Sequence, residues 1–177
     1  MDDASDEDLI AWAIGGDGEA FACLVERHYS AIYRTAWRWC GSREDAEDIA
    51  QEVCVKLGQA IRGFSGGAAF STWLYRVTLN AVRDFARAKA RRQRHVTAFV
   101  EMANTVTPPA APDSEDALWQ AVRQLPEKQR DAVLLVYAEE KSHAEAASVM
   151  GCAETTVSWH IHAAKKRLKG LLQEQMS

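Results

Sequence analysis

The run from Phe64 to Arg94 constrains this chain more than any other: a loop over Arg62 to Ala69, with Gly63, Gly66 and Gly67, leads into a long pattern of helical period that grows steadily more basic. At 100° per residue, Phe70, Leu74, Val77, Ala81, Phe85 and Ala88 fall on one apolar stripe. Tyr75, Leu79, Val82 and Ala86 form a second stripe beside it, so the helix is expected to pack on two sides. The face left over carries Arg76, Asn80, Arg83, Arg87, Arg91 and Arg94, with Trp73 at its start. Guanidinium groups in a row match phosphate oxygens bidentately and release counterions on contact. A solvated basic face would account for the arginines alone. The interleaved Phe64, Phe70, Trp73 and Tyr75 suit unstacked bases better.

A net charge of −4 seems at odds with a nucleic-acid partner until it is divided along the chain. The first eight residues alone hold Asp2, Asp3, Asp6, Glu7 and Asp8, so the charge is segregated rather than uniformly acidic. With 177 residues, 47% of them hydrophobic, the chain can bury a core as one domain or two small ones. No secretory signal pattern or bilayer-length apolar run is seen, and a cytoplasmic protein without membrane insertion is expected. Cys23, Cys40, Cys54 and Cys152 are isolated and read as reduced thiols at or near the core. A zinc site would have to join Cys152 to His160 and His162, which lie on different helical faces, so no metal or cofactor is expected. No nucleophile motif or paired carboxylates in an apolar setting can be assembled, which argues against an enzyme, a catalytic residue or a small-molecule substrate.

The remaining pattern is helical throughout. A short helix holding Leu9 to Ile14 ends at the Gly15-Gly16-Asp17-Gly18 break, and a longer one from Glu19 to about Trp39 turns Phe21, Leu24, Val25, His28, Ile32 and Ala36 inward. His28 reads as a buried or boundary histidine. Ser42, followed three residues later by Asp45, caps a helix running to about Ile61. Ile49, Val53, Leu57 and Ala60 face its core, and Glu44, Asp45, Glu47, Asp48, Gln51 and Glu52 leave an acidic outer surface. The glycine loop that follows has no G-K-[ST] and no preceding strand, so it is not a nucleotide-binding loop.

Beyond Arg94 the pattern weakens, and Thr107-Pro108-Pro109-Ala110-Ala111-Pro112-Asp113 is linker composition. Three units are therefore expected: a helical domain over 1–94, a flexible linker over 95–113 and a second helical domain over 114–177. In the second, Ala117 to Leu125 forms a helix ended by Pro126, and Glu127 to about Glu139 forms another. Ser142 caps a short helix closed by Gly151, and a last helix runs from about Glu154 to Leu172. Short helix, glycine turn and longer basic helix are the spacing of a helix-turn-helix. Val157, Ile161, Ala164, Leu168 and Leu171 face inward. Thr155, Ser158, Trp159 and His162 sit outward where base edges would be read, and Lys165, Lys166 and Lys169 where phosphates would lie. An extended linker would reach about 70 Å at roughly 3.3–3.6 Å per residue, about two duplex turns, so the two halves could read separate parts of one site.

The runs DAEDIAQEV (Asp45 to Val53), FSTWLYRVTLN (Phe70 to Asn80), LPEKQR (Leu125 to Arg130) and TTVSWHI (Thr155 to Ile161) resemble the extracytoplasmic-function (ECF) group of bacterial RNA polymerase sigma factors. The resemblance covers nearly the whole chain apart from the acidic N-terminus and the linker. It implies an all-α protein with a sigma region 2 bundle and a sigma region 4 helix-turn-helix, whose partners are core RNA polymerase and promoter DNA, with an anti-sigma factor as regulator. Asp45, Asp48, Gln51 and Glu52 would dock on the polymerase clamp helices. Phe64, Phe70, Trp73, Arg76, Asn80, Arg83 and Arg87 would take the minus-ten element, with a flipped base held in the Phe64–Phe70 loop. Thr155, Thr156, Ser158, Trp159, His162, Lys165, Lys166 and Lys169 would take the minus-thirty-five element. The chain departs from the family in the last helix: where the family commonly has an Arg or Lys after the T-V pair and an R-A-R further on, this chain has Ser158, then Trp159-His160, then Ala163-Ala164-Lys165, and Trp159 is either a base or sugar contact or a packing residue.

Overall fold

The computed structural model describes residues 3–97 and 114–175. The described residues form helices α1 (Asp6–Ile14), α2 (Gly18–Cys40), α3 (Arg43–Ala60), α4 (Phe70–Thr97), α5 (Ser114–Arg123), α6 (Glu127–Val133), α7 (His143–Met150) and α8 (Glu154–Gln175), with a 3₁₀ turn at Ile61–Gly63. The architecture is all-α. Two compact units emerge, Met1–Val82 and Arg83–Ser177, and the division falls inside α4. The linker expected over 95–113 lies outside the described residues from 98 onward, while α4 itself continues to Thr97.

In the first unit α1, α2 and α3 each start where a side chain can satisfy the orphan amides of the first turn. Ser5 accepts from Asp8, Asp17 from Glu19 and Ala20, and Ser42 from Asp45. Gly41 ends α2 with a φ of 74°, a left-handed turn that a Cβ would strain. The core is built from Leu9, Leu24, Ile32, Ala36, Trp39, Ile49, Val53, Leu57, Leu74 and Leu79, all buried. Burial along α4 stops at Val82: Ala86, expected on an inward stripe, is exposed, and Phe85 and Ala88 are only half-buried. The apolar period continues past the point where the first unit offers α4 a surface to pack on.

In the second unit Ala121, Val122, Leu125, Ala132, Leu134, Leu135, Val149, Val157, Ile161 and Ala164 form the core. The helix expected over 127–139 is not uniform: after Val133 it widens into a π-turn over Leu134–Ala138, where the Glu139 amide bonds the Leu134 carbonyl at 2.9 Å. Asp131 to Leu135 are all buried across this junction, and Tyr137 lies outside. Glu140, at a φ of 52°, then ends the element. Ser142 and Glu145 form a reciprocal capping box at the start of α7, and Gly151 closes that helix at a φ of 67°.

Candidate nucleic-acid interface

The loop between the 3₁₀ turn and α4 is anchored by aromatic rings. Phe64 meets Phe70 edge-on at 5.7 Å and Trp73 at 5.2 Å, and Phe70 lies 5.6 Å from Trp73. All three are half-buried, and Phe64 and Phe70 pack on the cluster of Leu9, Ile10, Ala13, Ala20, Leu24 and Ile61. Between them Gly66 takes a φ of 72°, and a Cβ there would meet nothing within 4 Å, so the glycine is required by backbone conformation rather than crowding. A ring cluster with one side on the core and another at the surface can hold a loop and still offer aromatic edges to a base.

Farther along α4, Arg76, Asn80, Arg87, Arg91 and Arg94 are exposed on one face, as the sequence pattern requires. Arg83 is different. Its side chain is only 15% exposed, and within the second unit its guanidinium pairs with the carboxylates of Glu127, at 3.2 Å, and of Asp131, which is fully buried. On α3, Asp48 and Gln51 are exposed and Asp45 and Glu52 half-buried, with Glu52 paired to Lys56 at 2.8 Å one turn on. The acidic surface expected there is present.

On α8, Thr155, Ser158, Trp159, His162, Lys165, Lys166 and Lys169 are exposed and Thr156 is half-buried. Val157, Ile161 and Ala164 are buried beneath them, which fixes the outward set by helical period alone. Trp159 is 62% exposed, its ring edge-on to His160 at 5.0 Å, so it does not close the core. Three features escaped the sequence pattern. Lys165 lies over the Tyr137 ring at 5.3 Å, His143 Nδ1 meets the Ser158 hydroxyl at 2.9 Å, and the His28 ring meets Phe70 at 5.3 Å. Each joins residues far apart in the chain, for which local periodicity carries no signal. The four cysteines are unbridged and half-buried.

The described residues thus present a basic helix that follows a glycine loop with aromatic anchors, and a helix-turn-helix whose last helix turns polar residues outward. Residues 24–92 match the Sigma-70 region 2 family and residues 115–168 the Sigma-70 region 4 family. The chain is 34% identical over 169 residues to the ECF RNA polymerase sigma factor SigM of Mycobacterium tuberculosis, covering 95% of this chain and 85% of the relative. The solved structure of CnrH in complex with the cytosolic domain of CnrY superposes with a TM-score of 0.69 at 26% identity, over 96% of this chain and 97% of that one. The sigma factor RpoE of Bartonella quintana, solved with the anti-sigma factor NepR, gives 0.64 at 25% identity over 82% of this chain and 91% of that one. The chain therefore belongs to the ECF RNA polymerase sigma factors, which act in transcription initiation.

Proposed function

We propose that this sigma factor divides promoter recognition between its two halves and works in the cytoplasm without a catalytic step of its own. The exposed part of α3 around Asp45, Asp48, Gln51 and Glu52 docks on the polymerase clamp helices. The Phe64–Phe70 loop and Trp73 capture an unstacked minus-ten base, with Arg76, Asn80 and Arg87 against the strand backbone. Arg83 joins that set by exchanging its carboxylate partners for phosphate. Thr155, Thr156, Ser158, Trp159 and His162 read the minus-thirty-five duplex, and Lys165, Lys166 and Lys169 hold its phosphates. The observation that supports this reading most is the aromatic cluster of Phe64, Phe70 and Trp73 at the start of the arginine-bearing helix. Unstacking a base costs a few kcal/mol, which stacking on aromatic side chains offsets at about 1–3 kcal/mol per base. A regulator of the anti-sigma class, like the partner of the Bartonella relative, controls its release to polymerase.

Reconstituted run-off transcription tests the proposal. Core polymerase should initiate at selected promoters only when this protein is added, and the protein alone should bind duplex weakly. Tight, polymerase-free footprints on a near-palindrome would instead make it a conventional helix-turn-helix regulator.

A further inference from the structure

We propose that Asp6 and His28 are positioning residues for the aromatic cluster, so that the N-terminal helix α1 sets where the strand-capturing loop stands. The inference rests on the reading of Phe64, Phe70 and Trp73 given above. Asp6 is the first residue of α1, and its two carboxylate oxygens are divided between Arg27 Nη1, which donates at 2.6 Å, and His28 Nε2, at 2.7 Å. His28 stands on α2 and presents its ring to Phe70 at 5.3 Å with an interplanar angle of 63°. Phe70 then touches both Phe64 and Trp73. An acid on the first helix is thus connected to the indole through only two intervening rings.

A carboxylate on one ring nitrogen fixes the orientation of an imidazole, and with it the edge that the ring offers to a neighbour. Burial opposes ionisation of Asp6, but the hydrogen bonds and charges of Arg27 and His28 outweigh it and hold the carboxyl below its ordinary value. The carboxylate is therefore present as an acceptor at neutral pH. A second attachment runs in parallel: Leu9, Ile10 and Ala13 of α1 pack with Ile61, and Phe64 and Phe70 pack on that same cluster. Nothing in α1 belongs to the DNA-facing set, yet both of these attachments involve it, alongside Ala20 and Leu24 of α2 in the same cluster.

The test uses the full chain with core polymerase and a duplex promoter fragment from a site that the complex occupies, with 2-aminopurine in the minus-ten element. Asp6→Asn and His28→Ala should each slow unstacking about two- to tenfold, the range of one aromatic contact, with core affinity unchanged. His28→Phe keeps a ring against Phe70 without needing the carboxylate, so Asp6→Asn should have no further effect in that background. Should His28→Ala fail to fold, Asp6→Asn and the Asp6→Asn/His28→Phe pair carry the test. Wild-type unstacking by Asp6→Asn and His28→Ala, while Trp73→Ala is impaired, overturns the positioning role and leaves the function standing. Equal loss of core binding and unstacking, or Asp6→Asn effects that persist unchanged beside His28→Phe, also overturns it. No effect of Trp73→Ala removes the underlying reading and the inference with it.

Discussion

The indole of Trp73 lies 5.2 Å from the Phe64 ring, tilted by 52°, across the glycine loop that separates the 3₁₀ turn from α4. Since Phe64 rests on the α1–α2 core and Trp73 is half-buried, the contact ties loop, helix and core together. A side chain in that position packs on the fold with one part and leaves another part at the surface.

Trp73→Ala should therefore weaken capture of the unstacked strand by about 1–3 kcal/mol, the value of a base–aromatic stack. Affinity for core polymerase, measured separately, should change little. Trp73→Phe should recover most of the loss. If core binding falls as far as strand capture, the indole serves the fold alone.

Replacing Lys165, Lys166 and Lys169 by Gln should weaken duplex binding about equally on all sequences and flatten the salt dependence, by about one unit of slope for each phosphate contact removed. All three are exposed on α8. Titrations over a range of salt give the slope directly. An unchanged slope removes the lysines from the phosphate set.

Gly151 ends α7 in the left-handed region with no atom within 4 Å of an added Cβ, so Gly151→Ala pays a backbone penalty and no steric one. The expected loss is about 1–2 kcal/mol in thermal or denaturant unfolding of the second unit. Gly63→Ala, where φ is not left-handed and the space is also open, should be neutral or slightly stabilising.

Acid should weaken the second unit through His160. Burial first, then the charge of Lys128, lowers its pKa below the ordinary 6.5, and its Nδ1 is buried without a hydrogen-bond partner. The unfolded chain therefore takes up the proton before the folded one does. Stability is whole above pH 6.5 and declines as pH falls through that value toward the lower folded pKa. Denaturant unfolding between about pH 5 and pH 8 should show this limb, and His160→Gln should flatten it.

Helix positions and caps were legible because they depend on local chemistry: Ser42, Ser142 and Gly151 act within one turn of themselves. The outward sets of α3 and α8 followed from period for the same reason. What period cannot supply is where packing ends, which is why Ala86 was expected inside and lies outside. Nor can it supply contacts between distant residues. His28 was readable as a boundary histidine, but its place between Asp6 and Phe70 exists only once α1, α2 and α4 are assembled. The π-turn at Leu134–Ala138 likewise interrupts a helix that period alone predicted to be continuous.

This sigma factor is proposed to open promoters by holding an unstacked base at the start of α4. Fluorescence of 2-aminopurine in the minus-ten element, followed on a selected promoter with core polymerase, tests it most directly. The signal should rise only when protein and core are both present and should fall in Phe64→Ala and Trp73→Ala. A signal that rises equally with core alone, or that persists in both aromatic variants, would contradict it.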